Sequence, residues 1–154
     1  MRPQKRRGVF RHFLIATDGS PVSNKAARAG IALASALNAR VTAYYAVDEL
    51  QPLYVEGYAM GQTMMDDLDR RAKNLGEKRV SAIGKMAKAA GVRFNALVRK
   101  ANTAYEGIID AAKTQRCDVI FMASHGRRGL SKLIMGSVTQ KVLTHSKIPV
   151  VVYR

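Results

Sequence analysis

The chain is short of cysteine, of long apolar runs and, in places, of acids. A single cysteine, Cys117, in 154 residues excludes an internal disulfide and a cysteine-cluster metal site. No apolar run approaches the roughly 20 residues needed to cross a bilayer. The basic start "MRPQKRRGVFRHFLIATDGS" has an apolar core of only Phe13 to Ala16, too short for the central region of a signal peptide. A cytoplasmic protein without membrane contact is the simplest expectation. There is no internal repeat, no low-complexity segment, and no metal-ligand spacing between His12 and His145.

Acids are scarce where bases cluster. The formal net charge is +15, which favours anionic partners such as nucleotides, nucleic acid or acidic surfaces without choosing among them. Residues 1–12 carry Arg2, Lys5, Arg6, Arg7 and Arg11 and no acid, and Arg70 to Lys100 carries ten Lys and Arg against Glu77 alone. Nucleic-acid contact through these two basic stretches is an alternative role, although base stacking in the tail gets little support, because no aromatic residue precedes Phe10.

What is present is a regular alternation. Residues 1–8 read as a basic tail and residues 9–154 as one domain, which this length and 47% hydrophobic content can furnish with a core. Val9 to Ala16 reads as a first strand, and Ser20 and Pro21 as the N-cap and first residue of a helix. That helix shows Ala26, Ala29, Gly30, Leu33 and Leu37 on one face. Val41 to Val47 is a second strand. A loop from Asp48 to Gly61 precedes a long helix, Met64 to Ala90, with acids in its first turns. Its expected apolar stripe is Leu68, Ala72, Leu75, Ile83, Met86 and Ala90, interrupted near Arg79, and Gly91 suits its end. Val92 to Val98, Val119 to Ala123 and Ile148 to Tyr153 read as strands. Thr103 to Gln115 and Ser137 to His145 read as helices, the former burying Ile108, Ile109 and Ala112. Val119 to Ala123 is continuously apolar, as a central parallel strand covered on both faces should be.

This order predicts an α/β fold, an open doubly wound five-stranded parallel sheet with helices on both faces, Rossmann-like in class, with strand order 3-2-1-4-5. Ligands in such sheets bind beyond the carboxyl ends of the strands, where the order reverses. Strand one ends there in Thr17-Asp18, and strand four runs into "ASHGRRGLSKLIMGSVTQ". In that stretch Gly126 permits backbone conformations closed to other residues. Gly136-Ser137 opens a helix whose free N–H groups suit an anion. Arg127 and Arg128 add positive field. The Walker lysine is absent, since Ser137 and Val138 follow Gly136, and no Gly-x-Gly-x-x-Gly follows the first strand.

These residues resemble the universal stress protein family. "FLIATDGS" near the start, "ASHGRRGLSKLIMGSVTQKVL…SKIPVVV" at the end and the element order between them extend the likeness over nearly the whole chain after Gly8. The signature of nucleotide-binding members runs Gly, two residues, Gly, nine residues, Gly, then Ser or Thr. Here Ala123 stands at the first glycine, Gly126 at the second and Gly136-Ser137 at the end, while Gly129 is not a signature position. The resemblance implies an ATP site. Ala16 and Ala46 line the adenine, Asp18 lies near ribose and phosphates and assists Mg²⁺ or Mn²⁺, and Ala123 to Gly129 (with Ser124, His125, Arg127 and Arg128) surround ribose and phosphates. Ser137, Val138 and Thr139 form the phosphate-binding helix start. It also implies a homodimer joined through the last strand, residues 148–153.

Two positions depart from the family. If the first signature position needs a positive φ or a close backbone approach, the methyl of Ala123 weakens binding; if the backbone is ordinary there, it is harmless. Asn102-Thr103-Ala104 stands where Gly-x-Pro is common, and Asn tolerates a left-handed turn.

Other chemistry is weaker. Adjacent Ser124 and His125 are expected to lack triad geometry, so at most a slow ATPase relying on Asp18 and a cation is expected. Asp18 also suits an Asx-type contact holding its own turn. Cys117 reads as a small buried residue, and Met60, Met64 and Met65 as core contacts of the long helix rather than a lid.

Overall fold

The computed structural model describes residues 9–49, 61–126 and 135–154, with the backbone of Tyr54–Val55 and Tyr58–Ala59. The basic tail, Met60, Arg127, Arg128 and Gly129 lie outside the described residues.

The elements run β1 (His12–Ala16), α1 (Pro21–Ala36), β2 (Arg40–Asp48), β3 (Tyr54–Val55), β4 (Tyr58–Ala59), α2 (Gln62–Ala89), β5 (Phe94–Ala101), α3 (Ala104–Thr114), β6 (Val119–Ala123), α4 (Ser137–His145) and β7 (Val150–Tyr153). Five strands form one sheet in the order β5-β2-β1-β6-β7, every neighbouring pair parallel. In terms of the five long strands this is the predicted 3-2-1-4-5. β3 and β4 form a small antiparallel pair inside the expected Asp48–Gly61 loop.

Alternation along the strands divides the core in two. Phe13, Ile15, Val41, Ala43, Val119, Phe121 and Ala123 face α1 and α2. Leu14, Ala16, Tyr44, Ile120 and Met122 pack with Ile108, Ala112 and Val142 of α3 and α4. β6 is buried along its whole length, which is why it reads as unbroken apolar sequence.

The helices on the first face turn differently from the expected stripes. In α1 the buried line is Ser23, Ala26, Ala27, Gly30, Ile31 and Ala34, and Leu33 and Leu37 are exposed. In α2 it is Gly76, Val80, Ile83 and Ala87, and Leu75 and Ala90 are exposed. The cause is close packing. A Cβ on Gly30 would sit 3.0 Å from Ile15 and Phe121, and one on Gly76 would sit 2.8 Å from Tyr45 and Val98. The smallest residues mark the line of nearest approach, and larger apolar residues fall to its margin.

Most boundaries shift: β2 spans Arg40–Asp48 rather than 41–47, and α3 spans Ala104–Thr114 rather than 103–115. β1 starts at His12 rather than Val9, β5 spans Phe94–Ala101 rather than 92–98, and β7 starts at Val150 rather than Ile148. α2 starts at Gln62, so its first turn has no acid. Asp67 instead pairs with Arg70 and Arg71, and Asp69 with Lys100. Met64 is exposed rather than a core contact.

Candidate functional site

The order reverses between β1 and β6, and their carboxyl ends open side by side. The turn after β1 is tightly specified. Ser20 caps α1, its Oγ accepting from the Ser23 amide at 3.1 Å. Thr17 Oγ1 accepts from the Gly19 amide at 3.0 Å and from Ser23 Oγ at 2.8 Å, so its hydroxyl serves the turn. Asp18 Oδ1 accepts from the Ser20 amide at 2.9 Å, the expected Asx contact. One carboxylate oxygen thus holds the turn, and the other leans toward the β6 loop.

That loop meets Asp18 closely. A Cβ built on Gly126 would lie 2.3 Å from Asp18 Oδ2. Gly126 does not have a positive φ, contrary to the expectation that it supplies unusual dihedrals. A glycine is required there by the approach of the carboxylate. Ala123 also has an ordinary backbone. It closes β6, and its methyl belongs to the core beneath α1 and α2. The positive-φ objection to alanine therefore does not apply. Asn102 likewise shows no positive φ, so the turn before α3 makes no use of its left-handed tolerance.

The far side of the site is the start of α4. The Gly136 amide donates to the Ser124 carbonyl at 2.7 Å, and Thr139 Oγ1 donates to the Ala123 carbonyl at 3.0 Å. These two bonds clamp the helix head onto the end of β6. No side chain caps that head, and Ser137 and Val138 are exposed. The helix therefore presents amides and its positive end beside Asp18 and Gly126. Thr139 is buried, and its hydroxyl is committed to Ala123, leaving only its amide for a ligand. Ala16 is buried and Ala46 half-buried on the α3 face of the sheet.

Ser124 and His125 do hydrogen-bond, Oγ to Nδ1 at 3.0 Å. Among the described residues no carboxylate hydrogen-bonds His125, so these residues complete no triad. Cys117 is buried, and burial with the neighbouring Asp118 charge pushes its thiol up to about 12. It packs as the small buried residue expected.

Arg79 of α2 is a site neighbour without an assigned role in the sequence pattern. Its Nη1 donates to the Gly19 carbonyl at 3.3 Å, and its buried Nε has no partner among the described residues. Gly19, at φ +76°, lies so close that a Cβ would overlap the guanidinium. The break in the α2 stripe at Arg79 is the signal of this inward cation, which brings positive charge to the Asp18 turn.

The model of the universal stress protein family matches residues 10–154. The chain is 31% identical over 146 residues to universal stress protein MJ0531 of Methanocaldococcus jannaschii, covering 95% of this chain and 83% of that protein. A solved universal stress protein in complex with cAMP aligns with a TM-score of 0.71 at 20% identity, covering 96% of this chain and 99% of that one. An Arabidopsis thaliana family protein with AMP bound aligns with a TM-score of 0.64 at 15% identity, covering 92% and 90%. At these identities the two structures establish a shared fold. No described helix is long and apolar enough to cross a membrane.

Proposed function

Since the chain belongs to the universal stress protein family, we propose that it binds ATP in the cleft between Thr17-Asp18 and the Ala123–Thr139 segment, and acts as a cytoplasmic, dimeric, nucleotide-responsive module. The carrying observation is the convergence of Asp18 Oδ2, the Cβ-free backbone of Gly126 and the uncapped head of α4. A carboxylate suits ribose hydroxyls, and an open helix start suits phosphate. Family members with bound cAMP and AMP support an adenine nucleotide. In this reading Ala16 and Ala46 line the base, Ala123 to Gly129 follow ribose and phosphates, and Ser137, Val138 and Thr139 offer amides.

No cluster of three or more His, Cys, Asp or Glu exists among the described residues to hold a metal unaided. Asp18 alone fits a Mg²⁺ or Mn²⁺ ion brought by the nucleotide, which would neutralise phosphate charge. A slow ATPase relying on Asp18 and that cation is the alternative reading, and phosphate release lost in Asp18→Ala would favour it. The dimer would form through β7, which pairs only with β6 among the described strands and leaves Tyr153 exposed at an open edge.

Calorimetric titration of nucleotide-stripped protein with ATP and Mg²⁺ tests the proposal, with Gly136→Trp as blocked control and circular dichroism to verify folding. Saturable binding lost in the control supports the cleft. Absence of binding to well-folded wild-type protein refutes it.

A further inference from the structure

The opposite end of the sheet holds a second concavity, of about 410 Å³, lined by the amino ends of β1, β2 and β5 and the carboxyl end of α3. That volume lies within the range of small-molecule sites, about 300–1,000 Å³. By strand alternation His12, Arg40, Thr42, Arg93 and Asn95 all project to the α3 face, where Arg116 closes the rim. No carboxylate lines the cavity. Arg40, Arg93 and Arg116 form no ion pair among the described residues. Asp118, whose charge acts on His12, accepts from the Arg11 and His12 amides at 2.9–3.1 Å.

His12 is the second, independent observation. It is 94% buried, being 6% exposed, yet its Nδ1 has no hydrogen-bond partner among the described residues. Its Nε2 lies 2.8 Å from Thr42 Oγ1. The backbone carbonyls of Gln115 and Arg116 lie near enough to favour the protonated ring, though neither meets hydrogen-bond geometry at Nδ1. With the proton on Nδ1, Thr42 donates to Nε2, and Nδ1–H is a buried donor lacking an acceptor among the described residues. A donor of this kind on a cavity lined by three guanidiniums with no described ion pair suits an oxyanion.

We propose that this amino-end cavity binds the phosphate group of a small anion, held by Arg40, Arg93 and Arg116 with His12 Nδ1–H as the buried donor. The site is separate from the carboxyl-end cleft and does not depend on the nucleotide reading. Arg116 also provides a clean test. It occupies a left-handed conformation, φ +54°, just beyond the end of α3, where glycine is the favoured residue. Arg116→Gly therefore removes the guanidinium while easing the backbone.

Full-length protein would be titrated separately with inorganic phosphate and with glycerol phosphate, sodium chloride keeping ionic strength constant, while the His12 ring and Asn95 side-chain amide are followed by NMR. Saturable shifts at both residues are expected, weakened at least tenfold in Arg116→Gly combined with Arg40→Gln, and unaltered in Gly136→Trp. Tighter binding of glycerol phosphate would identify an organic phosphate, and equal binding the free ion. Linear shifts shared with chloride, or shifts unchanged in the double variant, would overturn the proposal. So would shifts given by a short oligonucleotide and by neither small anion, which would assign the arginines to a nucleic-acid surface.

Discussion

The two ends of the sheet are built from opposite materials. At the carboxyl end the chain approaches itself through glycine and backbone: Gly126 against Asp18, Gly136 against Ser124, and an uncapped helix start. At the amino end long cationic side chains stand over a buried imidazole. Backbone sites are shaped by what a Cβ would obstruct, whereas side-chain sites are shaped by charge. The two should therefore fail under different substitutions.

The largest contrast comes from Gly136→Trp. A Cβ there already lies 3.1 Å from the His125 backbone, and an indole would fill the space before the α4 amides. ATP affinity should fall by more than 100-fold, about 3 kcal/mol, with phosphate binding at the amino end untouched. A calorimetric loss at both ends would show global damage and erase the distinction.

Gly19→Ala tests the backbone end through stability. At φ +76° an L-residue is strained, and the added methyl overlaps Arg79. A loss of about 1–3 kcal/mol is expected, read from urea midpoints. Combining it with Arg79→Ala should recover the part due to overlap and leave the part due to φ.

Gly126→Ala is milder, because Asp18 Oδ2 is the tip of a movable side chain. The fold should survive while the carboxylate swings away. About tenfold weaker ATP binding is expected, or 1.4 kcal/mol, with no more than a small change in thermal midpoint.

Much of this architecture is legible in sequence, for identifiable reasons. Val119–Ala123 and Ser137–His145 are readable to the residue because one is buried on both faces and the other opens on Gly136. Ser20-Pro21 carries its own capping chemistry. The faces of α1 and α2 are less legible, because apolar size favours Leu33 and Leu75 while contact with the sheet is made through Gly30 and Gly76. Asp18 and Gly126 can be singled out from their places after β1 and β6, yet the reason for the glycine emerges only when the two loops meet. Arg79 and the amino-end arginines escape a linear reading because their neighbours are far away in sequence: Gly19 for Arg79, and His12 for Arg93 and Arg116.

The smallest effect expected is a pH slope from the amino end. Burial first, and the Arg40 charge second, lower the His12 pKa from 6.5, outweighing the Asp118 charge and the carbonyls of Arg116 and Gln115. Between the folded value and 6.5 the unfolded chain binds more protons than the folded one, so stability rises with pH. The contribution is complete above 6.5 and is lost as pH falls through that window to the folded value. Its slope cannot exceed one proton, about 1.36 kcal/mol per pH unit. Urea midpoints measured from pH 7.5 downward should show this decline, and His12→Gln should flatten it. Phosphate should oppose it, since an oxyanion at Nδ1 favours the protonated ring. A decline that persists unchanged in His12→Gln would trace the slope to other groups and leave the two ends of the sheet alike in their response to acid.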